Sequence, residues 1–211
     1  MEKIEILVSR AIPIAIENID TDQIIPARFL KSSKRQGFGS NLFRDWRYTN
    51  QGLVKESFIL NNPKFSGKIL LVGRNFGSGS SREHAAWSLF DYGFRVVISS
   101  FFADIFKENA LNNGLLPIEI SEVYLQYLFK TISYNRHILY SVFLGRQIIK
   151  IDKSFFYDYF SMEKYKKTCL LKGQDDIDHL ISLYKKIKTF EVKSVFNDKE
   201  NSYFIWRWSW R

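Results

Sequence analysis

The arrangement that most constrains the fold of this chain is a strand followed by a helix, twice in succession. Residues 68–72 form an apolar run between two glycines, which suits a strand buried on both faces. A helix pattern begins near Arg82 and reaches a stop signal at Gly93. A second strand at 95–99 and a second helix over 104–113 follow. This alternation predicts an α/β layer with parallel strand pairing.

Weaker patterns on either side of this segment predict further elements. They are strands at 4–8, 12–16 and around 142–149, and helices around 123–129 and over 175–188. Residues 31–52 are basic, glycine-containing and aromatic without a clear period. They predict a long ordered loop, and loops of this length are often functional.

The length of the chain favours one domain. A chain of 211 residues allows one well-buried core and is too short for two ordinary domains. We therefore expect a single compact domain over residues 1–190 and an aromatic tail over residues 191–211. Three tryptophans alternate with polar residues in the last six positions. This alternation fits a terminal strand, a segment that contacts a partner, or sequence drift at a tolerant terminus.

Metal-binding residue types are few and poorly spaced. Cys169 is the single cysteine, which excludes an internal disulfide and an iron–sulfur cluster held by this chain alone. His84, His137 and His179 lack the short spacing of metal ligands. No apolar run approaches the ~20 residues that span a bilayer, and no signal peptide is evident. These features predict a cytoplasmic protein that binds no metal itself and no membrane.

The net charge of +9 is compatible with a nucleic acid, an anionic substrate or an acidic partner. Much of this charge comes from lysines spread through the C-terminal third, which is typical of a solvated face. An AT-biased genome would explain it equally well. Aromatic residues do not alternate with the basic ones as they do in proteins that bind single strands. We therefore expect no nucleic-acid partner, and a non-catalytic RNA-binding module is the less favoured alternative.

The most informative stretch is residues 73–84, where a strand runs through a glycine turn into a helix. Gly77 and Gly79 allow positive φ angles and close backbone approach. The start of the helix offers N–H groups and the positive end of the helix dipole. The stretch is not a Walker loop, and it is not a dinucleotide fingerprint because Arg82 replaces the third glycine. It predicts a site for a small anion.

Three polar residues, Ser80, Ser81 and Arg82, stand at the mouth of this turn. Arg82 is suited to binding a carboxylate through two parallel hydrogen bonds. A serine among N–H donors can act as a base because those donors stabilise its alkoxide. The competing explanation is that both serines cap the helix and Arg82 is a surface charge. Spacing alone does not separate the two explanations.

Six motifs occur in an order that resembles a known family. They are Asn-Ile-Asp-Thr-Asp-Gln-Ile-Ile-Pro at 18–26, Gly-Phe-Gly at 37–39 with Leu-Phe-Arg-Asp-Trp-Arg at 42–47, Gly-Ser-Gly-Ser-Ser-Arg-Glu-His at 77–84, Asp-Tyr-Gly-Phe at 91–94, Phe-Ala-Asp-Ile-Phe at 102–106, and Asn-Asn-Gly-Leu-Leu-Pro at 112–117. Together they resemble the small subunits of 3-isopropylmalate dehydratase, in the aconitase superfamily and in their longer bacterial form. The resemblance covers most of residues 14–117.

This resemblance implies a swivelling β/β/α domain, as in the aconitase C-terminal domain, that closes over a substrate. It implies a hydro-lyase that isomerises 2-isopropylmalate and 3-isopropylmalate by dehydration and rehydration in leucine biosynthesis. The partner would be a large subunit that holds a [4Fe–4S] cluster, in a heterodimer or heterotetramer. This chain would bind no cofactor and would be inactive alone. Ser80 would be the base, and Ser81 and Arg82 would bind oxygens of a small dicarboxylate substrate.

The resemblance implies less direct roles for other residues. Asp20, Thr21 and Asp22 would build the wall of the active site, with local capping as the competing explanation. His84 would support the site from behind or serve in packing. Arg28 would help to bind the substrate.

The loop at residues 31–37 would read the side chain of the substrate. The nearest alternatives within the enzyme class are therefore small subunits that act on homoaconitate, citraconate or dimethylmalate. These acids share a malate-like core and differ in the group that such a loop would contact.

Overall fold

The computed structural model of the chain describes residues 2–31 and 36–193. They form two compact units, of which the first ends at Gly173 and the second begins at Gln174. The first unit contains β1 (Ile6–Ser9), β2 (Ala11–Ile14), α1 (Thr21–Ile24), α2 (Arg44–Arg47), β3 (Ile69–Val72), α3 (Glu83–Tyr92), β4 (Val96–Ser99), α4 (Asp104–Asn112), β5 (Leu116–Glu119), α5 (Glu122–Tyr134), β6 (Tyr140–Phe143), β7 (Ile148–Ile151), β8 (Tyr157–Tyr159) and α6 (Lys164–Lys172).

The predicted parallel layer is confirmed. Strands β2, β3, β4 and β5 form one sheet in that order, and all three pairings are parallel. Every residue of β3 and β4 is buried, as expected for central strands that are covered on both faces. The glycine turn follows the end of β3, so it lies at the carboxyl edge of the sheet. Open α/β sheets bind their ligands at this edge.

A second sheet is antiparallel and has the order β1-β6-β7-β8. The prediction of one strand around residues 142–149 is wrong, because that range contains the end of β6, a turn and the start of β7. The turn contains Gly145 and places Gln147 at a left-handed φ of 55°. The N–H of Gln147 donates to the carbonyl of Leu144 at 3.2 Å. The sequence pattern joined two apolar runs across this short turn.

Two hydrophobic clusters cover the two faces of the parallel sheet. One cluster connects β3 to α5 and to the antiparallel sheet, through Ile69, Leu125 and Val142 among others. The other connects the opposite face of the sheet to α3 and α4, through Leu89 and Phe106 among others. Adjacent strand residues point to opposite faces, so β2, β3 and β4 each contribute to both clusters. The fold is therefore the expected α/β class, with a sheet and a helix on one side and two helices on the other.

The described part of the second unit is helical. Its first helix, α7 (Asp176–Ser182), begins with a capping box in which Asp175 accepts from the N–H of Asp178. The predicted helix over 175–188 is interrupted by a turn at Leu183, and helix resumes over residues 184–193. The aromatic tail lies outside the described residues from 194 onward. The domain boundary between residues 190 and 191 stays a prediction.

The loop expected over residues 31–52 is ordered where the structure describes it, and residues 32–35 lie outside the described part. A 3-10 turn at Phe38–Asn41 is followed by the short helix α2. Phe38 and Phe43 are buried and belong to the cluster under α3. The loop therefore packs on the helix that begins beside Ser80–Arg82.

Gly77 gives a test of how tightly the glycine turn is packed. Its φ is +79°, and a Cβ placed there would lie 2.3 Å from Cγ of Phe106. We expect Gly77→Ala to lower the free energy of unfolding by about 2–5 kcal/mol, from left-handed strain plus overpacking. Gly93→Ala is the control, because Gly93 also has a positive φ but no atom lies within 4 Å of its added Cβ. It should cost only about 1–2 kcal/mol. Equal losses in urea unfolding would contradict this account.

Candidate functional site

The site is built where two distant segments run side by side beyond the ends of β2 and β3. The N–H of Asn18 donates to the carbonyl of Arg74 at 2.8 Å. The N–H of Gly77 donates to the carbonyl of Ile19 at 2.7 Å. The N–H of Thr21 donates to the carbonyl of Ser78 at 2.9 Å. These bonds bring the first turn of α1 against the glycine turn.

Neither serine caps helix α3, so the capping explanation is wrong. The helix begins at Glu83, and its N-cap residue is Arg82, which makes no side-chain capping bond. Ser80 and Ser81 are exposed on the turn ahead of it. Within the described residues, the N–H groups of Gly79, Ser80 and Ser81 donate to no protein acceptor. The turn therefore presents two serine side chains and unbonded N–H groups on the surface.

Thr21 is the side chain that contacts Ser80. Its Oγ1 lies 3.2 Å from the Ser80 carbonyl oxygen and 3.3 Å from Ser80 Oγ. Thr21 is only 2% exposed, whereas Ser80 is open to solvent. Gly79 has a φ of +95°, and a Cβ there would lie 3.4 Å from Thr21 Oγ1. That is ordinary van der Waals contact, so glycine is favoured at this position by its positive φ and not by a lack of space.

Arg82 is held by Asp22. Nη2 of Arg82 donates to Oδ2 of Asp22 at 2.7 Å, and Nη1 forms an ion pair with Oδ1. This hydrogen bond, together with the charge of Arg82, holds the pKa of the Asp22 carboxyl below its ordinary value of 3.8. The same bond raises the pKa of Arg82. Asp22 also accepts from the N–H of Ala27 at 3.2 Å, so its carboxylate is fixed from two sides.

Asp20 and His84 have structural contacts. Asp20 caps α1 in a capping box, in which it accepts from the N–H of Gln23 at 2.7 Å. The ring of His84 packs between Phe38 at 5.1 Å and Trp87 at 4.5 Å, measured between ring centroids. These contacts match the capping explanation for Asp20 and the packing explanation for His84.

The contacts of Arg28 are with residues other than the two serines. It pairs with both carboxylate oxygens of Asp45 and lies over the ring of Phe29 at 4.8 Å. No hydrogen bond or ion pair connects it to Ser80, Ser81 or Arg82 in the part of the chain that the structure describes. Its role in substrate binding stays a prediction.

Sequence reasoning missed two residues that fix the loop against α3. Asp91 accepts from the N–H groups of Gly37 at 3.0 Å and Gly39 at 2.8 Å. Arg47 is 9% exposed, and its Nη1 lies 3.3 Å from the carbonyl oxygens of Gly39 and Leu42. Both residues lie inside motifs of the family, and their place in these motifs is the only feature of the sequence that could have pointed to them. Their partners on this loop are backbone atoms, and such contacts leave no mark in a sequence.

The described residues contain no cluster of three or more His, Cys, Asp or Glu side chains that could hold a metal ion. Cys169 is buried in α6. The residues present in this part of the chain therefore do not fit an iron–sulfur cluster. No helix within residues 2–31 and 36–193 is long and apolar enough to cross a membrane.

Comparison with known proteins identifies the family. The Aconitase C-terminal domain family matches residues 1–123. The 3-isopropylmalate dehydratase small subunit of Karelsulcia muelleri is 53% identical over 197 residues, which cover 93% of this chain and 100% of that protein. The protein of the same name from Cytophaga hutchinsonii is 50% identical, with 93% and 98% covered. This chain belongs to the 3-isopropylmalate dehydratase small-subunit family.

A solved structure agrees with this assignment. The crystal structure of 3-isopropylmalate dehydratase (leuD) from Methanocaldococcus jannaschii has a TM-score of 0.61 and 26% sequence identity. The match covers 90% of this chain and 99% of that one. The small-subunit family and the aconitase-type fold expected from the six motifs are both confirmed.

The Asp22–Arg82 pair predicts a pH dependence of stability. Because the pKa of Asp22 is lowered in the folded state, the pair stabilises the fold above the ordinary pKa of 3.8 and loses this effect as pH falls further. The pair is largely exposed on the Asp22 side, so we expect at most about 1 kcal/mol. The difference in unfolding free energy between wild type and Asp22→Asn should therefore shrink from about pH 7 to pH 3. A difference that stays constant over this range would contradict the assignment.

Proposed function

We propose that this chain is the small subunit of a 3-isopropylmalate dehydratase and supplies the base and a carboxylate-binding arginine to a large subunit. The assembled enzyme would interconvert 2-isopropylmalate and 3-isopropylmalate in the cytoplasm, as a step of leucine biosynthesis. The observation that carries the proposal is the Ser80–Ser81–Arg82 turn at the carboxyl edge of the parallel sheet, with both serines exposed, in a chain of this family.

Ser80 is suited to be the base. Interconversion of the two acids removes a proton from a carbon beside a carboxylate, and the acceptor must reach that carbon. Ser80 is exposed on a turn whose N–H groups are not used by described protein acceptors. Those N–H groups and the start of α3 stabilise negative charge on the serine oxygen. Such donors are needed because a serine hydroxyl is a weak base unless its alkoxide is stabilised.

Arg82 and Ser81 are suited to hold substrate carboxylates. A guanidinium has five N–H donors in a planar fork, and Asp22 contacts only its two terminal nitrogens. The remaining donors can bind a carboxylate while Asp22 keeps the group oriented. The Ser81 hydroxyl makes no hydrogen bond to another described residue and can donate to a second oxygen of the substrate.

The large subunit would hold the [4Fe–4S] cluster, whose open iron would act as the Lewis acid for the substrate hydroxyl. This chain's residues would bind the carboxylates and transfer the carbon-bound proton. The stoichiometry would be a heterodimer or a heterotetramer. Isolated small subunit would therefore have no isomerase activity.

Ser80→Ala tests the base. We expect turnover of 2-isopropylmalate by the complex with its large subunit to fall about 10²–10⁴-fold, because the proton acceptor is removed. The complex should still form with its cluster intact, which absorbance and cluster content verify. Ser133→Ala, at an exposed serine on α5, is the matched control and should behave as wild type.

Two outcomes would contradict parts of this proposal. Full activity in Ser80→Ala would remove Ser80 from the chemistry. Turnover of homoaconitate, citraconate or dimethylmalate in place of isopropylmalate, by a wild-type complex with an intact cluster, would overturn the substrate assignment but not the hydro-lyase class.

Arg82→Lys tests the carboxylate site. Lysine keeps the charge but loses the planar fork, so we expect KM for 2-isopropylmalate to rise about 10- to 100-fold. Arg74→Lys, at an exposed arginine that begins the same turn, is the control and should leave KM unchanged. An unchanged KM in Arg82→Lys would show that the guanidinium does not bind the substrate.

A further inference from the structure

We propose that Thr21 is a positioning residue that stabilises the basic form of Ser80 by switching its hydrogen bond from the carbonyl of Ser80 to Oγ of Ser80. The inference rests on the proposed role of Ser80 and goes beyond it, because it assigns a side-chain donor to the basic form in addition to the N–H groups of the turn. The geometry that points to it is the contact of one hydroxyl with two oxygens of the same residue.

The two distances allow one proton to serve two acceptors in turn. Thr21 Oγ1 lies 3.2 Å from the carbonyl oxygen of Ser80 and 3.3 Å from its Oγ. In the neutral state, the Thr21 hydroxyl donates to the carbonyl, and the Ser80 hydroxyl can donate to Thr21 Oγ1. When Ser80 has lost its proton, its oxygen can only accept. Rotation of the Thr21 hydroxyl then directs its proton to the alkoxide, with no movement of heavy atoms.

The proton balance of the step is complete. Deprotonated Ser80 accepts the proton from the carbon beside the carboxylate, and an O–H bond forms as the C–H bond breaks. The electron pair of that C–H bond remains on the substrate and forms the alkene as the C–O bond breaks. The hydroxyl leaves as hydroxide with the electron pair of the C–O bond, and the Lewis acid that the large subunit would supply would accept it. Thr21 keeps its own proton throughout and changes only the acceptor to which it donates. In rehydration, the hydroxide adds to the carbon that lost the proton, and Ser80 returns the proton to the carbon that lost the hydroxyl.

The surroundings of Thr21 hold the hydroxyl in place for this role. Thr21 is 2% exposed, its N–H is bonded to Ser78 and its carbonyl accepts within α1 from Ile25 at 2.9 Å. A β-branched side chain also has few χ1 states. A donor that is fixed before the reaction stabilises charge without reorganisation, which is why such donors have large effects on rate.

Neighbouring carboxylates do not compete for the Thr21 proton in the described part of the chain. Asp20 is occupied in the capping box with Gln23, and Asp22 is occupied by Arg82 and Ala27. Ser80 supplies both of the side-chain hydroxyl's contacts among the described residues. The contact is therefore specific to the serine that the proposed chemistry uses.

The test uses Thr21→Val and Thr21→Ser in the assembled complex with its large subunit and cluster. Valine keeps the branched shape and removes the donor, whereas serine keeps the donor. We expect Thr21→Val to lower kcat about 10²-fold. The acidic limb of its pH–rate profile should move about one to two pH units higher, because less of the basic form is present. KM should change little, and Thr21→Ser should restore most of the activity. Thr21→Ala carries the same expectation if the valine variant does not assemble.

Two comparisons separate failure of this inference from failure of the proposed function. If Ser80→Ala keeps wild-type turnover, Ser80 is not the base and both ideas fall. If Ser80→Ala is inactive but Thr21→Val keeps the wild-type pH profile, only the role of Thr21 is overturned. A Thr21→Val variant that lowers Tm and raises KM without moving the pH profile would also overturn it, because Thr21 would then only connect two segments.

Discussion

Three backbone hydrogen bonds between residues 18–21 and residues 74–78 continue the parallel pairing of β2 and β3 past the end of the regular strands. They join segments that are almost sixty residues apart in sequence. Because both segments leave the sheet in the same direction, the first turn of α1 meets the glycine turn. The arrangement at Ser80–Arg82 depends on this pairing, since the turn has no strand of its own to support it.

The pairing assigns different tasks to three consecutive residues. Asp20 accepts a hydrogen bond from the N–H of Gln23 and so caps α1. Thr21 faces the glycine turn and contacts Ser80. Asp22 lies at the surface and binds Arg82. Asp20 precedes the helix as its extended N-cap residue, whereas Thr21 and Asp22 lie in the first turn, where successive side chains point about 100° apart. The polar motif that follows β2 thus supplies the side chains that contact Ser80 and Arg82.

Periodicity predicted the parts of the fold that it describes directly. The apolar run of β3 predicted a buried strand, the alternation of strands and helices predicted its parallel pairing with β4, and Gly93 predicted the end of α3. The β6–β7 hairpin was missed because its turn is only four residues long and its flanking strands are both apolar. Averaged over this range, the hydrophobic pattern therefore predicts a single strand.

The sequence likewise predicted only the local part of the candidate site. The motif placed Ser80–Arg82 on a turn before a helix, and this is where they lie. Serine is a common helix cap, so the spacing alone left capping open as an alternative. The backbone of the turn instead keeps both serines ahead of the N-cap residue. The pairing of Arg82 with Asp22 spans sixty residues and could not be read from local sequence.

The attachment of the loop at residues 37–42 has an evolutionary consequence. Asp91 and Arg47 bind backbone N–H and carbonyl groups of this segment and not its side chains. Gly39 is constrained, because a Cβ there would lie 2.6 Å from the backbone of Tyr92. Ser40 and Asn41, by contrast, can be exchanged without removing any of these attachments. The path of the loop can therefore be inherited unchanged while the residues along it diverge.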